Sequence, residues 1–217
     1  MNPELILASQ SPRRRALLAA LGLIFTIDAA DVDETPLPGE RPDALVCRLC
    51  RAKAQTVAGR HPGAIVLAAD TVVTLDERLL GKPADGSEAA AMLRSLRGRP
   101  HTVFTAVAVA RDGAVESRLN ASQVTMRDYS EAEIAAYVAS GDPLDKAGAY
   151  AIQHASFSPV AAWTGCYAGI MGLPLRLTSE MLAAAGLPAP VGATEVCRGL
   201  NGGGCCNLNP SCADYLA

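Results

Sequence analysis

Residues 64–75 read AIVLAADTVVTL, a twelve-residue run of β-branched and small apolar residues interrupted by one charge, Asp70. Such a run predicts buried β-structure throughout. A carboxylate inside it must be hydrogen-bonded, ion-paired or metal-bound, because an isolated buried charge is too costly. Open α/β sheets gather their sites at the carboxyl ends of strands, so Asp70 is a candidate site residue. The alternative is an aspartate that caps a bend between two strands.

Working outward, ELILA (4–8) suits a short buried strand, and Ser11-Pro12 follows as N-cap and first helical residue of a helix that Gly22 ends. LIFTIDA (23–29) reads as a second strand. A polar, Pro-rich loop from Asp31 to Pro42 leads to a helix from about Asp43 to Ala58, with Leu45, Leu49, Ala52 and Thr56 spaced for one face. Downstream of the central run, DERLLGKP (76–83) looks like a hairpin and exit turn, and a helix is expected over 86–96. Residues 101–126 read as two strands joined at Asp112-Gly113, a hairpin signal. Ser130 and Glu133 form a capping box for a helix ending near Gly141, and LTSEMLAAAG (177–186) is the last clear helix. This alternation argues for an α/β or α+β architecture with a mixed sheet. Beyond Pro188 the composition turns to Gly, Asn and Cys. We therefore expect a domain over 1–188 and a separate, poorly packed appendage over 189–217.

Composition narrows the function classes. At 217 residues the chain fits one large domain or two small lobes sharing a core. Hydrophobic residues make up 50% but aromatics only 4%, leaving few platforms for stacking single-stranded nucleic acid. The formal net charge of −3 provides no global basic field, so any anion site is local. No stretch approaches the roughly 18 apolar residues of a membrane span. MNPELILASQSPRRR places its charges after a short apolar run, the reverse of a signal peptide, so a cytoplasmic location is expected. Cys47, Cys50 and Cys166 lie in apolar context, as reduced thiols of a cytoplasmic protein do. Cys47-x-x-Cys50 has no second pair of suitable spacing for zinc; redox pairing or inert thiols are the other readings.

The local anion site is announced by SPRRR (11–15). Three arginines in the first helical turn oppose the macrodipole, and a local rule broken this plainly often marks function. Free N–H groups and guanidinium side chains there make a phosphate site. At about 100° per residue, Arg14 points with Leu17, Leu18 and Leu21 toward the lip of the core, Arg15 points away and Arg13 lies on the flank. A solvated basic turn is the alternative. Glu34 follows the second strand, Lys53 sits on an otherwise apolar helix, and Lys82 sits in a Gly-Lys-Pro turn. Singly each reads as a surface charge. Together with Asp70 they offer two carboxylates for Mg²⁺ or Mn²⁺ and two cations for phosphate oxygens. His61 and His101 read as surface or turn residues, and Trp163 as either cleft wall or partly buried core.

LASQSPRR (7–14), AADTVV (68–73), GKP (81–83), GDPLDKAGAYAIQ (141–153) and GLPL (172–175) together resemble the Maf family of nucleoside triphosphate pyrophosphatases, in order and spacing over about residues 3–186. The resemblance implies a two-lobed α/β fold with a nucleotide cleft between the lobes, a divalent metal, and cleavage between the α- and β-phosphates. It implies Asp70 as proton acceptor, Arg13, Thr71 and Gln153 at positions tied to base selection, and Ser9, Arg14, Glu34, Lys53 and Lys82 as other polar cleft residues. The AIQ form and paired arginines look more like the branch acting on dTTP and UTP than the branch acting on 7-methyl-GTP. A homodimer fits the same resemblance. His154 stands where that branch commonly has Gly, and Gly169 where many members have Asn. The class that competes with a hydrolase is a nucleotide-binding regulator of cell division without turnover.

Overall fold

The computed structural model describes residues 3–201. Seven strands form one mixed sheet: β1 (Leu5–Leu7), β2 (Thr26–Ile27), β3 (Ile65–Leu75), β4 (Arg78–Leu80), β5 (Pro100–Arg111), β6 (Ala114–Met126) and β7 (Val160–Thr164). The order is β2-β1-β3-β5-β6-β7, with β4 also on β3. β1 runs parallel to β2 and β3, and every other pairing is antiparallel. The helices are α1 (Pro12–Ala20), α2 (Pro42–Ala58), α3 (Gly86–Leu96), α4 (Glu131–Ala139), α5 (Tyr167–Ile170), α6 (Leu175–Ala184) and α7 (Ala193–Asn201), with 3₁₀ turns at Asp142–Asp145 and Ala147–Ala149. Among the described residues no helix is long and apolar enough to cross a membrane.

The 64–75 run is one continuous strand, not two meeting at a bend. Its alternation distributes the core. Ile65, Leu67 and Ala69 face α1 and α6 with Leu17, Leu18, Leu21 and Leu182, while Val66, Ala68 and Val72 face α2 with Leu45, Leu49, Cys50 and Val57. Val73 and Leu75 enter a third cluster with Leu93 of α3, Ile134 of α4 and Tyr150. The sheet is therefore shared by two lobes. Each fully buried Leu or Val contributes about 1.5–3 kcal/mol relative to exposure, so these faces, more than helix propensity, fix where α1 and α2 lie.

Local signals act where expected. Ser11 Oγ accepts the Arg14 N–H, Pro12 opens α1, and Ser130 and Glu133 close a full capping box on α4. Asp76 and Glu77, both at positive φ, turn β3 into β4. Two expectations are corrected and one strand had not been expected. The strand over 23–29 shrinks to Thr26–Ile27, since its neighbour β1 has three residues and Ile24 is 94% exposed. β7 was not legible, because its edge position leaves VAAWT mostly solvated and without alternation. The appendage expected from residue 189 is corrected over 193–201, which form α7. Ala193, Val196, Cys197 and Leu200 recur at i, i+3, i+4, i+7 and pack against the first core cluster, and the Val191 N–H bonds Leu21 O at 3.0 Å. The rest of the expected appendage, with Cys205, Cys206 and Cys212, lies outside the described residues.

Candidate functional site

A break in the sheet positions the site. β1 pairs with β3 only at Ile65–Leu67, and β4 only at Val73–Leu75. Between them β3 keeps β5 on one side and has no strand on the other among the described residues. The chain leaves β1 at Ala8 and crosses this gap as Ser9–Ser11 into α1. A cleft of about 820 Å³ opens there, lined by Ser9, Arg13, Arg14, Glu34, Lys53, Asp70, Thr71, Lys82 and Gln153. All nine residues singled out from the sequence face one cavity. Asp70 thus lies in the gap, beyond the last parallel pair of β3 at Leu67.

Alternation along β3 sends Asp70 to the α2 face and Thr71 to the α1 face. On the α2 face, buried Lys53 places its Nζ 2.5 Å from Asp70 Oδ1 and 2.5 Å from Glu34 Oε1. The loop carrying Glu34 is pegged to α2 by Arg48, which grips Glu40 through Nε and Nη2 at 2.7 and 2.8 Å and donates to Thr35 O at 3.1 Å. Partial burial pushes the Glu34 carboxyl up, but the Lys53 hydrogen bond and charge, with Lys82 and Arg14, outweigh it and hold the group below the usual carboxylate range.

On the other face Arg14 spends its guanidinium on three acceptors: Gly172 O at 2.9 Å, Ser9 Oγ at 3.2 Å and Thr71 Oγ1 at 3.2 Å. Thr71 Oγ1 also lies 3.0 Å from Thr105 Oγ1. Gly172 holds φ +111°, a conformation that disfavours any side chain, and so turns its carbonyl to Arg14. Burial pulls the Arg14 pKa below its ordinary value, opposed first by Asp70. As expected, Arg15 is exposed beside the inward Leu17 and Leu18.

The opposite wall is the 142–153 segment. Gly148, at φ +70°, presses on Val73 so closely that a Cβ would meet it at 3.0 Å, and the Gly148 N–H bonds Gly81 O at 3.0 Å. Tyr150 is pinned from β5 by His101, with Nε2 2.7 Å from the phenol oxygen. His101 is therefore buried, correcting its reading as a surface residue; burial pushes it down to about 4. Arg13 reaches across to Asp145 at 3.4 Å. Lys146 and Asp145 also line the cleft, and sequence reasoning missed both, because charges around a Gly-Asp-Pro turn look solvated. Lys82 and Gln153 are exposed at the mouth. Trp163 is 41% exposed beside Tyr167 and is not among the lining residues. Gly169 is packed under Asn120, where a Cβ would meet Oδ1 at 2.5 Å.

Among the described residues no group of three or more His, Cys, Asp or Glu is placed to hold a metal ion. Cys47 and Cys50 are buried in α2, with the Cys50 thiol donating to Cys47 O. Of the carboxylates lining the cleft, Glu34 and Asp70 are joined by Lys53 as a pair of hard oxygen donors. That donor set fits a divalent cation of the Mg²⁺ type only when substrate oxygens complete its shell, which is the usual Mg²⁺ arrangement.

Fold and cleft together define an α/β enzyme class whose site straddles a break in a mixed sheet, with cations and carboxylates interleaved. The chain belongs to the Maf family: the model described as Maf-like protein matches residues 4–185. It is 54% identical over 187 residues to a dTTP/UTP pyrophosphatase of Myxococcus xanthus, covering 86% of this chain and 94% of the relative. It is 52% identical over 186 residues to a dTTP/UTP pyrophosphatase of Thermomicrobium roseum, covering 85% of each. A relative of the same name in Anaeromyxobacter dehalogenans is 48% identical over 194 residues, 88% of this chain and 98% of that one. A solved nucleoside-triphosphatase / dITP/XTP pyrophosphatase from Mycobacterium abscessus matches at TM-score 0.39 and 16% identity, over 58% of this chain and 75% of that one, a likeness that adds nothing to the assignment.

Proposed function

We propose that this protein hydrolyses nucleoside triphosphates, with dTTP and UTP as its substrates, to the nucleoside monophosphate and pyrophosphate. The observation that carries the reading is that Asp70 and Arg14, reaching the site from opposite faces of β3, open on one cleft. Relatives named for this activity, similar over nearly their whole length, support it. The reading includes a cytoplasmic protein, active as a homodimer, that takes free nucleotides and neither a nucleic acid polymer nor a membrane.

Charge supports a substrate that carries its own cation. Five cationic and four acidic side chains line the cleft, too even a balance to neutralise a triphosphate by protein groups alone. Glu34 and Asp70 would hold Mg²⁺ or Mn²⁺ together with phosphate oxygens; when bound, such an ion neutralises phosphate charge and acidifies the attacking water. The chain's own groups do the rest. Arg13 and Lys82, at the cleft wall and mouth, take phosphate oxygens. Lys53 fixes Asp70 through Oδ1, so that Oδ2 accepts the proton as water attacks the α-phosphorus and the α–β bridging oxygen leaves with pyrophosphate. The Thr71 hydroxyl is occupied by Arg14 and Thr105, so it orients Arg14, and reading of the pyrimidine edge falls to Gln153. Ser9 supports Arg14 in the same way. Little covalent chemistry falls to the protein, so positioning and charge stabilisation supply most of the rate.

The test is pyrophosphate release from UTP by the wild type and by Asp70→Asn. The variant should retain nucleotide binding and lose turnover by about 10² or more, the range of a general base. Turnover retained in Asp70→Asn would remove this residue from the chemistry.

A further inference from the structure

We infer that Lys146 is a positioning residue that couples the phosphate end of the cleft to its base end. Lys146 is buried and lines the cavity, where a cation would ordinarily be assigned to substrate. Its ammonium has three N–H donors, and three acceptors already meet it: Asp142 O, Asp142 Oδ1 at 3.0 Å and Asp145 Oδ1 at 2.6 Å. None is left for a phosphate. What the lysine does is join two arms. On one side Asp145 turns its second oxygen to Arg13 Nη1 at 3.4 Å. On the other, Asp142 Oδ2 accepts the Tyr137 hydroxyl at 2.6 Å, and the Tyr137 oxygen accepts the Ala151 N–H at 3.2 Å.

Ala151 lies two residues before Gln153, whose side chain the function above assigns to the base. The relay therefore runs from the arginine of α1, through one lysine, to the backbone that aims Gln153. The bonding directions agree along its length. Burial and the neighbouring Asp142 push the Tyr137 hydroxyl pKa well up, so it stays a donor. Partial burial pushes Asp142 and Asp145 up, but the Tyr137 and Lys146 hydrogen bonds to Asp142, and the Lys146 and Arg13 contacts to Asp145, win and hold both ionised. The Tyr137 ring is stacked on Phe157 at 4.3 Å, so removing its hydroxyl leaves the packing in place.

The assignment rests on the pyrophosphatase reading for its base-selection arm and on geometry alone for the rest, and two measurements separate them. In the nucleotide-free protein, hydrogen exchange at the Ala151 amide should quicken about tenfold in Lys146→Met, as expected for local opening, while amides of β3 keep wild-type rates. Unchanged Ala151 exchange in that variant overturns the relay whatever the enzyme hydrolyses. If Lys146→Met does not fold, Asp142→Asn carries the same exchange test. In turnover, Tyr137→Phe should cut the preference for UTP over CTP by about fivefold, through KM more than kcat, the scale of one lost hydrogen bond. Asp145→Asn, which cuts the same relay on the Arg13 side of Lys146, should lower the preference in the same direction by a smaller factor. A preference unchanged in Asp145→Asn overturns the coupling. Wild-type protein that turns over neither nucleotide overturns the function above, and the exchange result then still decides the relay.

Discussion

The two walls of the cleft are held by different forces. The wall built by β1, β3, α1 and α2 sits on two hydrophobic clusters, and its polar groups ride on regular elements: Asp70 and Thr71 on adjacent positions of a strand, Arg14 and Lys53 on helices. The wall over 142–153 is made of 3₁₀ turns, with Gly148 and Ala149 at positive φ; it rests on the third cluster through Ala149 and Tyr150, and its polar side is tied by an ionic chain and the His101–Tyr150 contact. In the function proposed above, the groups assigned to chemistry ride on densely packed elements, whereas Gln153, assigned to the base, adjoins a polar scaffold that should respond to salt.

The largest effect should come from the packed wall. Lys53→Met leaves Asp70 buried without its partner, and breaking a buried pair by removing one member costs about 3–5 kcal/mol. Urea denaturation measures it; a loss under about 1 kcal/mol would mean that Asp70 is solvated and the two walls do not differ in this way. Adding Asn at position 70 to that variant should recover part of the loss.

The polar wall should reveal itself through pH. His101 binds its proton only at about 4 when folded, against 6.5 ordinarily. Between those values the unfolded chain binds more protons, so this group makes stability rise with pH from about 4 to 6.5 and stay level above. The difference in unfolding free energy between wild type and His101→Gln should change by on the order of 3 kcal/mol across that window, at 1.36 kcal/mol per unit. Parallel curves would place His101 in water. The smallest effect belongs to the contact between the walls. A double-mutant cycle on Arg13 and Asp145, whose side chains are 27% and 61% exposed, should give a coupling of about 0.2–1 kcal/mol. It should fade in about 1 M salt, where the screening length is near 3 Å. A larger, salt-independent coupling would make the cleft a rigid unit, not two walls.

The same contrast explains what could be read in the sequence. Asp70 was conspicuous because an apolar strand surrounds it, Lys53 because its helix is otherwise apolar, and Arg14 because helical spacing aligns it with Leu17, Leu18 and Leu21. Local pattern and tertiary role coincide there. Lys146, Asp142 and Tyr137 carry no such pattern. Asp142 and Lys146 are charged residues near a turn, and only the fold shows that their partners include one another, an arginine far upstream and a backbone amide downstream. His101 was misplaced for the opposite reason: it precedes the apolar part of β5, and its burial depends on Tyr150 arriving from a distant segment. β7 is an exposed edge that lacks alternation, whereas the stripe of α7 was present in the sequence and hidden by a composition rich in Gly and Cys.

β3 serves both faces of the site through two neighbouring residues, and this turns the strand into a ruler. Substitutions along it change what is presented, but a one-residue insertion before Ala69 would exchange the sides on which Asp70 and Thr71 emerge, taking the carboxylate away from Lys53 and the hydroxyl away from Arg14. Length in this strand is therefore under tighter constraint than residue identity, while the Asp112-Gly113 hairpin at the other end of the sheet is free to lengthen.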